Sequence, residues 1–345
     1  MTLKYSFFDD YSEGAHPKLL EALLRTNFEQ HTGYGLDDFS REAGDTIKKK
    51  IGNNEATVHF VSGGTQANLI ALASMMKSYE SVVAASSAHI NVHEAGVVEF
   101  TGHKINTIHS TDGKITRAQI EGVVLAHTDE HMVKPRVVFI SQATEVGTVY
   151  SKRELDDIAQ CCKKYGLYFY IDGARIGTAL VAANADVTLE DIARYADAFY
   201  IGGTKNGALL GEAVILVNPE LQKEFRFVLK QHGALLAKGR IIGIQFNELF
   251  KDNLFFELAR HANAMAEKLV KGLKAMDVAF LTDSPTNQIF PIFPQTVIDK
   301  LKKDYGFYVW SKVDGDTAAI RLVTSWATED RMIEEFLADI KRISI

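Results

Sequence analysis

The sequence predicts an α/β protein: a mainly parallel sheet covered by helices, followed by a smaller α+β domain. Three observations carry this expectation. Short β-rich apolar runs recur at 57–61, 82–85, 136–140, 167–171, 198–201 and 213–217. Between most of them lie stretches with helical spacing, at 66–77, 116–126, 152–164 and 188–195. Continuous apolar strands joined by helix-length crossovers belong to a parallel sheet buried on both faces. Late in the chain the alternation changes, and Pro285, Pro291 and Pro294 cluster there.

The elements follow in order. The chain is expected to be irregular up to Ala15. Pro17 suits the first turn of a helix ending near Phe28, because its missing N–H would be unpaired there anyway. Gly33-Tyr34-Gly35 reads as a loop, and Asp37 as the cap of a second helix ending near Gly52. The Gly-rich link from Ile201 to Ala213 is too short for a helical crossover, so 213–217 is expected to run antiparallel to its neighbour. A long helical region runs from Arg240 toward Met276. Strand-like pieces follow at 278–281, 287–292, 307–311 and 319–323, and an amphipathic helix over 329–343 closes the chain. With the boundary near Lys251, residues 16–250 form the large domain; 1–15 and 251–345 form the small one.

Composition narrows the function classes. The chain has 345 residues, 46% hydrophobic and 24% charged, the balance of a globular protein able to bury a large core without disulfides. A net charge of −6 gives no global positive field for nucleic acid or anionic lipid. No apolar run approaches the roughly 20 residues that span a bilayer, and the opening residues lack the apolar region of a signal peptide. Cys161 and Cys162 are the only cysteines. They sit in a helical pattern and read as free thiols in a reducing, cytoplasmic compartment.

Three segments at predicted strand ends carry the chemistry. Ser62-Gly63-Gly64-Thr65 joins a strand to a helix, so its amides and the helix dipole can cradle a phosphate. Neither GxxxxGK[ST] nor GxGxxG is present. Asp172 ends the apolar run before Gly173-Ala174-Arg175, where a carboxylate needs a cation or a donor. Lys205 lies within Gly202-Gly203-Thr204-Lys205-Asn206-Gly207. Burying its ammonium lowers its pKa and suits an amine that condenses with an aldehyde. Singly, each has an ordinary use: a tight turn, a helix-capping Asp paired with Arg175, a solvated loop lysine. In an open α/β sheet, however, all three converge at the carboxyl ends of the strands. Cradle, acid and lysine together are what pyridoxal phosphate requires of a protein.

These segments resemble the low-specificity threonine aldolases, in the group of β-eliminating lyases. Further matching stretches are Ser12-Glu13-Gly14-Ala15-His16-Pro17, Ser87-Ala88-His89-Ile90, Glu145-Val146-Gly147-Thr148-Val149-Tyr150 and Ile320-Arg321-Leu322-Val323-Thr324. The resemblance implies the aspartate-aminotransferase-like architecture (fold type I) with a seven-stranded sheet. It also implies pyridoxal 5'-phosphate as cofactor, and cleavage of a β-hydroxy-α-amino acid to glycine and an aldehyde. Gly63, Gly64 and Thr65 would hold the phosphate. Asp172 would meet the ring nitrogen, His89 would stack on the ring and Lys205 would hold the aldehyde. Arg175 would lie beside cofactor and substrate carboxylate, and Arg321 would grip that carboxylate; a fork-shaped donor on a short apolar strand fits that task. Tyr34 matches a loop tyrosine of the active site, and Arg240 an arginine reaching a neighbouring subunit's cofactor. The expected assembly is therefore a homodimer or homotetramer with shared sites.

Two departures stand out. Asp9-Asp10 takes the place of a Ser-Asp pair, so an acid replaces the serine that helps bind the substrate carboxylate. Like charges side by side repel unless one is protonated or turned away, which puts threonine itself in question as the preferred substrate. The cradle reads Ser-Gly-Gly-Thr rather than Pro-Ser-Gly-Thr. His89, His93 and Glu94 have a spacing that can hold zinc, but HExxH and a third ligand are missing, so no metal is expected. For the base at the β-hydroxyl, His89, Glu94 and a water are the candidates. The competing reading is another enzyme on the same cofactor and fold, a β-eliminating lyase or an aminotransferase acting on a different amino acid.

Overall fold

The computed structural model describes residues 3–343; Met1, Thr2, Ser344 and Ile345, at the ends of the segments assigned to the small domain, lie outside the described residues. The described residues before Pro17 are irregular but for one short strand. β1 (Tyr5–Ser6) pairs in parallel with β11 (Tyr305–Gly306), a contact between sequence ends that no local pattern announces.

Seven strands form the central sheet: β2 (Thr57–Val61), β3 (Glu80–Ala85), β4 (Lys104–Ile108), β5 (Lys134–Ser141), β6 (Tyr168–Asp172), β7 (Ala198–Gly202) and β8 (Glu212–Leu216). Their order is β2-β8-β7-β6-β5-β3-β4. β8 runs antiparallel to both β2 and β7, as its short link requires, and the other pairings are parallel. β4, an edge strand, escapes the search for continuous apolar runs because three of its five residues are polar: Lys104 and Thr107 are exposed, and Asn106 donates to the Ser81 hydroxyl.

The helices start where the sequence caps them. His16 precedes Pro17 at the start of Pro17–Arg25, and Asp37 accepts the Ser40 N–H at the start of Asp38–Lys50. Thr116 with Gln119, Ser151 with Glu154, and Thr188 with Asp191 form reciprocal capping boxes. Cys161 and Cys162 are buried and unpaired in the helix Lys152–Tyr165.

The predicted long helix is two helices, Arg240–Phe250 and Leu254–Lys274, separated where Asn253 takes φ 59°. No strand forms over 278–281; a single bridge joins Phe280 to Pro291. The smaller sheet contains β9 (Gln288–Ile289), β10 (Ile292–Pro294), β12 (Tyr308–Lys312) and β13 (Thr317–Val323), with β13 antiparallel to the other three. A helix not anticipated, Gln295–Leu301, starts at Pro294, and Asp330–Ile343 closes the chain.

Two apolar cores result. The larger packs both faces of the central sheet, with Val83, Phe139, Phe169, Ile171, Phe199 and Ile215 inaccessible. The smaller joins Phe7, Leu269, Ile320, Leu322, Ile333 and Phe336, so N-terminal and C-terminal residues share it. A fully buried side chain of this size contributes about 1.5–3 kcal/mol, and Phe7, with Tyr5 packed beside it, thereby holds the N-terminal strand against the smaller sheet.

Candidate active site

A cavity of about 390 Å³ opens at the carboxyl ends of the parallel strands, where an open α/β sheet places its ligands. Ser62, Gly63, Gly64, Thr65, His89, Asp172, Arg175 and Lys205 line it, so the three segments singled out in the sequence converge.

The cradle follows β2. Gly63 precedes the helix Gly64–Met75, and no side chain caps that helix. Its first amides therefore lack the usual side-chain acceptor. A Cβ on Gly63 would meet open space, whereas one on Gly64 would lie 3.0 Å from the Tyr200 hydroxyl oxygen. Gln66 folds back instead, accepting from the Ser62 N–H at 3.0 Å and its hydroxyl at 2.9 Å.

Asp172 is buried and closely held at the end of β6. Its Oδ1 accepts the Tyr200 hydroxyl at 2.6 Å and the Ala174 N–H at 3.0 Å. Its Oδ2 accepts from Asn68 Nδ2 at 2.9 Å. The pairing of Asp172 with Arg175 does not occur. Arg175 points its Nε and Nη2 edge at Asp10, at 2.7 and 3.0 Å. That edge is thus occupied by Asp10, while Arg175 still lines the cavity, beside the space a cofactor and substrate carboxylate would fill. Burial opposes a charged Asp10, but Arg175 and Lys205 hold its carboxyl below the ordinary range.

Backbone crowding explains the glycines between β6 and β7. A Cβ on Gly173 would sit 1.8 Å from the Tyr200 carbonyl oxygen, and one on Gly202 would sit 2.4 Å from that of Ala174. Lys205 follows on the turn Thr204–Asn206 and is half-buried. Burial, reinforced by the Arg175 guanidinium, pushes its ammonium below its ordinary value, against the attraction of Asp10, Asp172 and Glu212. Glu212, at the start of β8, accepts the Gly203 N–H at 2.8 Å. Burial pushes its carboxyl up to about 7.

His89 begins the short helix His89–Val92. Its Nδ1 lies 3.0 Å from Glu94 Oε1, which also accepts from Asn68 Nδ2 at 2.8 Å. Asn68 thus links Asp172 to the carboxylate that fixes the imidazole. Glu94 is buried behind His89 and is not part of the cavity lining, so the structure favours it as an orienting group over a base. His93 follows the helix, its ring 5.6 Å from that of His89. Among the described residues no group of three or more His, Cys, Asp or Glu is arranged to hold a metal.

Sequence reasoning missed several wall residues. Glu145 Oε1 accepts the His89 N–H at 3.0 Å and the Ser141 hydroxyl at 2.7 Å. Burial raises its carboxyl, and the nearby Asp172 adds to this. Asn68, Tyr200, Glu212 and Tyr11 were also overlooked. A lone Asn inside an apolar helix and a Glu opening the apolar strand Glu212–Leu216 were the available signals.

Of the remaining predicted residues, Asp9 and Arg321 stand at the mouth of the cavity, whereas Tyr34 and Arg240 lie apart. Arg321 packs on Trp310, whose ring is 6.2 Å from that of the lining residue His93, and Asp9 neighbours the lining residue Tyr11. Arg321 Nη2 donates to the Phe8 carbonyl at 3.1 Å and to Asp9 Oδ1 at 3.3 Å, so Asp9 is turned to an arginine and away from Asp10's partners. Tyr34 takes φ 61°, is stacked by Lys230 at 4.7 Å and lines a separate cavity with Asp37 and Arg226. Arg240 donates to the carbonyls of Glu29 at 2.6 Å and Asn27 at 3.2 Å. Neither Tyr34 nor Arg240 lines the cavity of its own chain.

The β-eliminating lyase family model matches residues 9–295. The low specificity L-threonine aldolase of a Pseudomonas species is 35% identical over 344 residues, covering 97% of this chain and 96% of the relative. That of Pseudomonas aeruginosa is 32% identical, with the same coverage. The solved structure of Leishmania major threonine aldolase superposes with a TM-score of 0.97 at 46% identity, covering 99% of this chain and 100% of that one. A Thermus thermophilus aspartate aminotransferase, at 13% identity and TM-score 0.73, covering 99% of this chain and 91% of that one, shares the fold.

Proposed function

The chain belongs to the β-eliminating lyase family, and on that premise we propose that it is a pyridoxal-phosphate-dependent carbon–carbon lyase. It cleaves the Cα–Cβ bond of a β-hydroxy-α-amino acid, of the L-threonine or L-allo-threonine type, to glycine and an aldehyde. The observation that carries this reading is the convergence of an uncapped helix start, a buried acid and a half-buried lysine on one cavity.

The residues fit the cofactor. The amides of Gly64 and Thr65, with the Thr65 hydroxyl, suit the phosphate. Asp172, lining the cavity and fixed by three donors, can accept the N–H of a protonated ring nitrogen. When bound, pyridoxal phosphate supplies an aldehyde and an electron-accepting ring.

The chain's own groups do the rest. Lys205 offers an amine whose protonation burial disfavours and hands the site to the incoming amino group. Arg321 would hold the substrate carboxylate, beside Arg175, and so fix the orientation of the amino acid in the site. Glu94 fixes the His89 ring through Nδ1, leaving Nε2 to take the proton of the β-hydroxyl, directly or through water.

Tyr34 and Arg240 act on a neighbouring copy, in a homodimer or homotetramer with shared sites. Phe28, 96% exposed, lies between the two carbonyls that hold Arg240 and supports a covered surface there. A cytoplasmic location accords with the free Cys161 and Cys162; among the described residues no helix is long and apolar enough to cross a membrane.

The test is a product balance with L-threonine and L-allo-threonine. Glycine and acetaldehyde in equal amounts are expected, with loss of both turnover and the borohydride-sensitive yellow chromophore in Lys205→Ala. Release of ammonia and a keto acid in place of glycine would overturn the reading.

A further inference from the structure

The two acids at the N-terminus treat their arginines differently. Asp10 is 1% exposed and is fixed by both edge donors of Arg175 and by Asn287 Nδ2 at 2.9 Å. Asp9 makes one contact with Arg321, at 3.3 Å. Arg321 is otherwise poorly satisfied. Its guanidinium lies 5.0 Å from the Tyr308 ring and 5.3 Å from that of Trp310, and its Nε is buried without a partner. A buried unpaired donor of a charged group is costly, and its presence beside a weakly held acid marks a place built for another acceptor.

The geometry of the fork sharpens this. A guanidinium grips a carboxylate at two points through Nε with Nη2, or through Nη1 with Nη2. Both modes use Nη2. That nitrogen has two hydrogens and here has two acceptors, the Phe8 carbonyl and Asp9. An arriving carboxylate can therefore obtain a two-point grip only after one acceptor leaves. The Phe8 carbonyl is anchored by the backbone: Phe7 donates to Gly306 and accepts from Val323. Asp9 is a half-buried side chain, not held by the main chain, and its neighbour Tyr11 lines the open cavity, so it has room to turn away.

We infer that Asp9 is an internal occupant of the substrate-carboxylate site, held on Arg321 until the carboxylate of an α-amino acid displaces it. This rests on the functional reading above and deepens it. Asp9 tempers the site's preference for a carboxylate: an amine without one leaves it in place, whereas every amino acid binds against it. The acid that stands where a serine was expected thus weakens ground-state binding without entering the bond-breaking step.

The test is glycine binding to the holoenzyme, followed by the cofactor's absorbance. Asp9→Asn and Asp9→Ser are expected to lower the glycine Kd about fivefold, with KM for the β-hydroxy substrate falling in parallel and kcat little changed. The preference for glycine over glycinamide should widen by the same factor, which a merely structural role would not produce. An unchanged or weaker glycine Kd in both variants overturns the inference. A crystal structure of the wild-type holoenzyme with glycine tests it without substitution: Asp9 is expected off Arg321, and a retained contact overturns it. Failure of wild-type holoenzyme to respond to glycine at all would instead break the functional reading.

Discussion

The inner wall of the cavity and its mouth are made of the same kinds of group, yet they are satisfied to different degrees. On the wall, Asp172 has three donors, and Asn68 joins it to Glu94 and so to His89. At the mouth, Asp9 touches Arg321 once, and Arg321 Nε has no acceptor. A saturated network is stiff because displacing any member orphans another. An unsaturated one is ready to change partners. The difference suits a wall that holds a resident group and a mouth that meets a transient one.

The contrast can be broken most severely at Asp172. Asp172→Ala should lower kcat by roughly 10³-fold while phosphate-dependent retention of the cofactor persists. Steady-state kinetics beside a cofactor titration checks this, and near-normal turnover would deny the wall its role.

Glu212 sharpens the comparison through pH. Its carboxyl is pushed up to about 7 in the fold, so the folded chain keeps a proton that the unfolded chain has already lost. The associated stability is complete below the ordinary glutamate range and disappears as pH rises through about 7. Glu212→Gln should therefore stabilise the cofactor-free protein at pH 8 relative to wild type, by up to about 3 kcal/mol, and much less at pH 4. Melting curves at the two pH values decide it; an equal shift at both would mean that no proton is held there.

The smallest effect is expected at Asn68. Asn68→Ala removes one donor each from Asp172 and Glu94 and an acceptor from Tyr170. A loss of about 1–3 kcal/mol in denaturant unfolding follows. Full stability and rate in this variant would show the wall to be no stiffer than the mouth.

What was legible in the sequence was local. Helix-start residues such as Pro17 and Asp37, the apolar strands and the glycine-flanked Asp172 and Lys205 all announce themselves within a few positions, because turn and helix-end chemistry acts over that range. The link between Asp10 and Arg175 spans 165 positions, and that between Asp10 and Asn287 spans 277. No periodicity encodes such pairings. Edge strand Lys104–Ile108 was lost because three of its five residues are polar, which breaks the continuous apolar run used to find the other strands. Read from the residues alone, Arg175 was paired with its neighbour Asp172; its partner is Asp10, from the other end of the fold.

The glycine crossing between the ends of the strands bearing Asp172 and Lys205 has a consequence for redesign. With the Tyr200 carbonyl oxygen only 1.8 Å from where a Cβ on Gly173 would stand, the spacing between acid and amine is set by main chain pressed on main chain. Mutational variety is therefore closed at the depth of the pocket and open at its rim. A laboratory seeking to admit bulkier aldehydes should diversify the entrance and leave the two strand ends untouched.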